Sequence, residues 1–291
     1  MQDARLVNVG EVRLNVVSEG EGPPVLLLHG FPEFSYSWRA VQPALAAAGY
    51  RAVAPDLRGY NLSDKPAGVA AYAMDRLVAD VVGLVKALGA PRVKLVGHDW
   101  GGVIAWHVAA RHPELVERLA VLNAPHPKVF VRRLFTSRQA LKSWYMLFFQ
   151  LPALPERRLV EASIIRRTFR GLAVDQGAFP DEVIDRYLEA IRRPGAATAA
   201  LNYYRAALRP ESLRGPMTIA APTLVLWGMK DTALVPANLD GLERYVPDLR
   251  VERIAGAGHW IQHDAPALVA EKLVAFFRET SVPERPDRSV A

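Results

Sequence analysis

A chain of 291 residues, 51% hydrophobic and 23% charged, is long enough to bury one large core, alone or with an insertion. The absence of cysteine excludes disulfides and thiolate metal sites. No apolar run approaches the roughly 20 residues that cross a bilayer, and residues 1–10 lack the charged start and apolar centre of a secretory signal. The net charge of +6 raises the question of nucleic acid, so its location matters. Sixteen Lys and Arg against eight Asp and Glu fall between His126 and Gly215, which leaves the remainder at −2. Pairs such as Arg132-Arg133, Arg166-Arg167 and Arg192-Arg193 recur among apolar residues as solvated faces of amphipathic helices do, and no nucleic-acid motif accompanies them. The expectation is a cytoplasmic protein, monomer or homodimer, that binds neither nucleic acid nor membrane.

Two alternating segments, 5–9 and 12–17, predict an antiparallel start joined at Gly10-Glu11. Val25 to Leu28 is a continuous apolar run, the pattern of a strand buried on both faces. A helix is predicted over 36–48 before Gly49, then a strand over 50–54, a helix over 78–88 before Gly89, a strand over 93–96, a helix over 102–111 and a strand over 118–122. This alternation predicts a mainly parallel sheet. After Asn123 roughly ninety residues rich in Arg and aromatics, punctuated by Pro152, Pro155, Pro180, Pro194 and Pro210, read as an inserted helical cap. Strand character returns at 222–227, followed by a helix near 238–245, a strand over 250–254 and a final helix over 266–278. The predicted division is a core at 1–124 and 217–281, a helical cap at 125–216, and a fraying tail at 282–291 that holds too little apolar surface to order itself.

Gly97-His98-Asp99-Trp100-Gly101 lies between a predicted strand and helix, where flanking glycines permit the sharp turn of a nucleophile elbow. Asp99 is the candidate nucleophile. A carboxylate that attacks an ester carbonyl would give an anhydride, whereas attack at a saturated carbon bearing a leaving oxygen or halide gives an ester that water can cleave. Asp231 follows another strand, and His259 precedes the last helix. Ligand crevices of doubly wound sheets lie beyond the carboxyl ends of the strands, and the order nucleophile, acid, histidine is that of the α/β-hydrolase triad. Singly, these residues would read as a turn residue, a helix cap and a loop histidine. Leu28-His29-Gly30-Phe31-Pro32 reads either as a plain Gly-Pro turn or as a loop aiming the Phe31 amide beside that of Trp100, a pair able to hold an oxyanion, with His29 structural.

The sequence resembles the epoxide hydrolase branch of the α/β-hydrolase superfamily over nearly its whole length. The blocks that carry the resemblance are His29-Gly30-Phe31-Pro32-Glu33, Tyr36-Ser37-Trp38-Arg39, Pro55-Asp56-Leu57-Arg58-Gly59-Tyr60, Gly97 to Gly102, Trp144-Tyr145-Met146-Leu147-Phe148-Phe149-Gln150, Leu201-Asn202-Tyr203-Tyr204-Arg205 and Gly258-His259-Trp260. It implies an α/β-hydrolase fold: a mostly parallel eight-stranded sheet, flanking helices and an inserted helical cap. It further implies that Tyr145 and Tyr204 hold the oxygen of a small-molecule epoxide, that water is the second substrate, and that no metal or organic cofactor takes part. Tyr203 would then turn into packing. Phe31, Trp100, Phe148 and Trp260 are expected to wall the substrate pocket, with Leu147, Leu151 and Phe169 further shaping it. Haloalkane dehalogenases of the same superfamily also carry Asp followed by Trp, but usually Asn where this chain has Phe31. Fluoroacetate dehalogenases follow the nucleophile with Arg, where this chain has Trp100. Dehalogenation and ligand binding without turnover are the alternatives.

Overall fold

The computed structural model describes residues 3–209 and 215–279; the tail expected to fray at 282–291 lies outside them. Eight strands form one sheet: β1 (Asp3–Asn8), β2 (Arg13–Glu19), β3 (Pro24–Leu28), β4 (Arg51–Pro55), β5 (Val93–His98), β6 (Val116–Leu122), β7 (Thr223–Gly228) and β8 (Leu249–Ile254). Their order is β1-β2-β4-β3-β5-β6-β7-β8, and β1 and β2 alone pair antiparallel with their neighbours.

Helices cover both faces, which explains the continuous apolar runs. Alternate strand residues feed opposite cores, as the two-residue repeat of a strand requires. Leu26, Leu28, Leu95 and Val121 pack with α2 (Met74–Ala87) and α3 (Trp100–Arg111). Val25, Leu27, Val96 and Leu122 pack with α1 (Gln42–Ala47) and with the last helix of the described residues, α12 (Pro266–Arg278), which follows the short α11 (Ile261–Asp264).

Two expected helices take other forms. The segment 36–48 divides into a 3-10 turn at Ser35–Trp38 and α1, because Pro43 is tolerated in a first helical turn but not inside a longer helix. Residues 238–245 form no α-helix; two 3-10 turns, Pro236–Leu239 and Leu242–Arg244, flank Gly241 at φ +89°, a left-handed conformation that stops a helix. The expected helix at 78–88 begins one turn earlier, at Met74.

Between β6 and β7 run α4 (Pro127–Thr136), α5 (Gln139–Lys142), α6 (Tyr145–Phe148), α7 (Leu154–Leu159), α8 (Ala162–Leu172), α9 (Asp181–Arg192) and α10 (Ala196–Ala207). They lie on the sheet's carboxyl edge. The Tyr203 hydroxyl of α10 donates to the Arg58 carbonyl at 2.7 Å, and that of Tyr187 in α9 donates to Glu33 at 3.2 Å. Of the basic pairs, Arg166 bridges Asp181 and Asp185 at the surface, whereas Arg133 is largely covered where it meets Asp240, its side chain 16% exposed.

The turn between β5 and α3 depends on close backbone approach. A Cβ on Gly101 would lie 2.2 Å from the Leu28 carbonyl oxygen, and one on Gly97 would lie 2.4 Å from the Gly101 oxygen. Gly101→Ala is expected to destabilise the protein by about 3 kcal/mol, since the obstacle is strand backbone and not a pliable side chain. The midpoint of urea unfolding measures this; an unchanged midpoint would mean the turn tolerates a Cβ.

Candidate active site

Asp99 sits at the carboxyl end of β5 with φ +49° and ψ −119°, a backbone conformation rare for a residue with a side chain. The turn projects its carboxylate above the sheet edge. Oδ1 accepts the Phe31 amide at 2.9 Å, and Gly30 makes room, since a Cβ there would stand 2.5 Å from that of Asp99. Oδ2 lies 3.7 Å from His259 Nε2. On the far side of the ring, His259 Nδ1 meets Asp231 Oδ2 at 2.9 Å. Asp231 Oδ1 accepts the Ala233 and Leu234 amides, so its carboxylate is fixed on both oxygens.

Electrostatics set the proton positions. Burial works against the charge of His259, but Asp231 foremost, and Asp99 after it, outweigh burial and raise the imidazole to about 9. Burial would raise Asp231; the His259 charge and hydrogen bond, with the Leu234 and Asn123 donors, hold it below the ordinary carboxylate value instead. The pair is thus ionised at neutral pH, with a proton parked on the histidine.

Tyr145 and Tyr204 close the site from above, their ring centroids 5.9 Å apart. Burial first, and the Asp99 charge second, push both phenols well above their usual value, so each remains a proton donor. Trp100 and Phe31 stand edge-on to Tyr204 at 5.0 and 5.1 Å. Tyr203 turns away against Tyr60 and Tyr72, as expected for packing. His29 is structural: its Nε2 accepts the Leu57 amide, and Nδ1 bonds to the Gly30 carbonyl.

Two cavities meet at Asp99, Tyr145 and Tyr204. One, of about 300 Å³, is walled by Phe31, Phe148, His259 and Trp260; the other, of about 170 Å³, runs along α3 past Trp100. The four expected pocket residues therefore line these spaces. The other three shaping residues do not. Leu147 and Leu151 are exposed, and Phe169 is wholly buried in a stack with Phe179 and Tyr187. Leu147 lies on the four-residue α6 and Phe169 on the amphipathic α8, whose facing the apolar spacing left open, and Leu151 lies in the connection between α6 and α7. Among the described residues no three His, Asp or Glu side chains form a group that could hold a metal.

Residues 23–266 match the family model described as alpha/beta hydrolase fold. A Bacillus subtilis protein named AB hydrolase superfamily protein YfhM is 40% identical, over 94% of this chain and 97% of its own length. Epoxide hydrolase A of Mycobacterium tuberculosis is 37% identical over 94% and 96%. The crystal structure of Bacillus megaterium epoxide hydrolase in complex with an inhibitor superposes with a TM-score of 0.87 at 34% identity, covering 94% of this chain and 100% of that one. The chain belongs to the α/β-hydrolases, on their epoxide hydrolase branch.

The site of this hydrolase contains supporting groups that single-residue reading passes over. Asn123, at φ +38°, donates to Asp231 Oδ2 at 2.8 Å and accepts the Gly228 amide at 2.8 Å, tying β6 to the loop after β7. Its signal was modest: an asparagine directly after a strand, a residue type that, among those with a side chain, readily adopts positive φ. Beneath His259, Glu33 is buried among His263 Nε2 at 2.6 Å, Gln262 at 3.1 Å and His98 Nδ1 at 3.3 Å. The His263 and His98 rings hold its carboxyl well below the usual range even though burial opposes them. His98 Nε2 in turn bonds to the His259 carbonyl at 2.9 Å, so the loop that carries His259 rests on this buried cluster. No sequence spacing links positions 33, 98 and 263; the sheet order brings them together.

Proposed function

We propose that this hydrolase converts epoxides to vicinal diols through a covalent ester on Asp99, beneath a cap formed by α4 to α10. The observation that carries the reading is the junction itself: a carboxylate, a histidine and two phenols around one space that opens into two apolar cavities. Phe31 already holds Oδ1, which leaves Oδ2 as the attacking atom. Oδ2 bonds to an oxirane carbon, the carbon–oxygen bond of the ring breaks, and Tyr145 or Tyr204 gives its proton to the alkoxide. A hydroxyalkyl ester and a tyrosinate result. Esterification removes the Asp99 charge, one of those that hold the proton on His259, so the imidazole yields that proton to the tyrosinate and becomes a base.

Water then adds to the ester carbonyl carbon while His259 takes its proton. The oxyanion forms on Oδ1 against the Phe31 amide, with the Trp100 amide at the start of α3 beside it. Collapse expels the diol oxygen, which is protonated from His259, and the carboxylic acid left on Asp99 returns its proton to the imidazole. Asp231 orients the ring and stabilises its cation throughout. The aromatic packing of Phe31 against Tyr204 and Phe149 favours this chemistry over dehalogenation, because the Phe31 side chain offers a departing halide no donor.

A single turnover in oxygen-18 water with excess enzyme tests the scheme. The label should enter the Asp99 carboxylate and be absent from the first diol; label in the diol with none in Asp99 would mean direct hydration without an ester.

A further inference from the structure

One polar side chain of the α3 cavity has no part in the reaction scheme, and the inference drawn from it rests on the epoxide hydrolase reading above. An oxirane held at the junction of the two cavities directs its two substituents apart, one of them along α3. The walls there are apolar, with Met74, Val103, Phe130, Val131, Leu134 and Met146 among them. Aside from Trp100 and the reacting groups at the junction, the lining has a single polar side chain among the described residues, His107. Trp100, Val103 and His107 recur at spacings of three and four and so share one face of α3. Eight residues of helix carry His107 about 12 Å along the axis from Asp99.

The state of this histidine is unusual. It is 1% exposed, and its Nδ1 is buried without a hydrogen-bond partner. The adjacent Trp106, on another face of the helix, is satisfied by the Ala124 carbonyl at 3.2 Å. Buried ring nitrogens are ordinarily paired, and an unpaired one in a cavity wall is a place where a ligand atom recovers a lost bond. Burial first, then the Arg111 charge, lower the imidazole to about 3, so the ring stays neutral and offers one donor and one acceptor. A hydroxyl satisfies either nitrogen; an ether or carbonyl oxygen satisfies the donor. An alkyl end satisfies neither and expels any water that had done so.

We propose that His107 determines specificity: it hydrogen-bonds an uncharged oxygen near the far end of the substituent lying along α3, a hydroxyl above all, and so selects epoxides with oxygen-terminated chains over simple alkyl epoxides. The selectivity works against hydrophobicity, since the methyl-ended analogue gains more from leaving water. A preference for the hydroxyl is therefore diagnostic.

The test uses terminal epoxides of graded linear chain length, each made with a methyl end and with a hydroxymethyl end, and kcat/KM for diol formation. At the length that reaches His107, the wild-type enzyme is expected to favour the hydroxyl-ended member by about tenfold, the value of one good hydrogen bond. His107→Leu should abolish that preference and leave turnover of the methyl-ended series intact or improved, and His107→Gln should retain part of it. The wild-type length profile stands by itself should the leucine variant fail to fold. No hydroxyl preference at any length, or one that survives in His107→Leu, overturns the proposal. The methyl-ended series separates the two layers of argument: if it yields diol while the preference is missing, the inference about His107 fails alone; if no member yields diol, the reaction assignment fails and takes the inference with it.

Discussion

His259→Gln is expected to halt the enzyme as its own ester, with steady diol release reduced by about 10⁴-fold. Alkylation needs Asp99 Oδ2, held ready by the Phe31 amide on Oδ1, and the phenols above it; it does not need the imidazole as a base. Hydrolysis does. Intact-mass spectrometry of the variant after exposure to an epoxide should show a gain equal to the whole substrate, located on Asp99 by peptide mapping. Unmodified protein after long exposure to a substrate that the wild type turns over would reject the covalent scheme. The acid–base side of the prediction has a defined sign. In the resting protein the Asp231, Asp99 and Glu33 carboxylates together raise His259 to about 9 against burial, and esterification removes the Asp99 charge. The hydrolysis step in the wild type should therefore rise with pH through a midpoint below about 9. The same coupling acts on stability: the raised value stabilises the folded state fully below the ordinary histidine range, and this contribution fades as pH climbs through about 9.

Removing both phenolic hydroxyls is the second large effect. Tyr145→Phe/Tyr204→Phe should slow ring opening by about 10³- to 10⁴-fold, within the range of positioned proton donors. Each single change should cost far less than the pair, since the remaining hydroxyl lines the same junction. Measured in the His259→Gln background, growth of the ester reports ring opening alone. An alkyl bromide provides the control, because its leaving group departs as an anion and needs no proton. If ester growth from the bromide falls as steeply as that from the epoxide, the tyrosines act through the shape of the site and not as donors to oxygen.

The strands, the turn at Asp99 and the grouping of Asp99, Asp231 and His259 could be read in the sequence because each is local or ordered along the chain. Val25 to Leu28 announces a strand covered on both faces, and glycines around Asp99 announce the turn, with no knowledge of what lies opposite. The helix expected at 238–245 failed on competition between two local signals. Gly241 takes a positive φ that stops a helix, and Leu239 and Leu242 are each buried from the 3-10 turns on either side of it. Leu147, Leu151 and Phe169 show a further limit. The four-residue α6 is too short to declare a face, Leu151 lies between helices, and the apolar residues of α8 divide between a core stack at Phe169 and the cavity wall at Ile164 and Leu172, so hydrophobicity there does not say which cavity, core or solvent a side chain meets. The Glu33 base was hidden for another reason: a buried carboxylate among histidines is formed by strand order, which residue spacing does not encode.

The crowding of positive residues between 126 and 215, set against a slightly negative remainder, gives the molecule a permanent electric polarity. On a carboxylated carrier it would settle with the inserted helices against the matrix, turning the cavity rim at Lys142 and Arg158 toward the support. An aminated carrier would invert it and leave that rim facing bulk solvent. Immobilised activity should thus depend on the resin's sign at low ionic strength, and the difference should vanish as added salt shortens the reach of charge below about 10 Å.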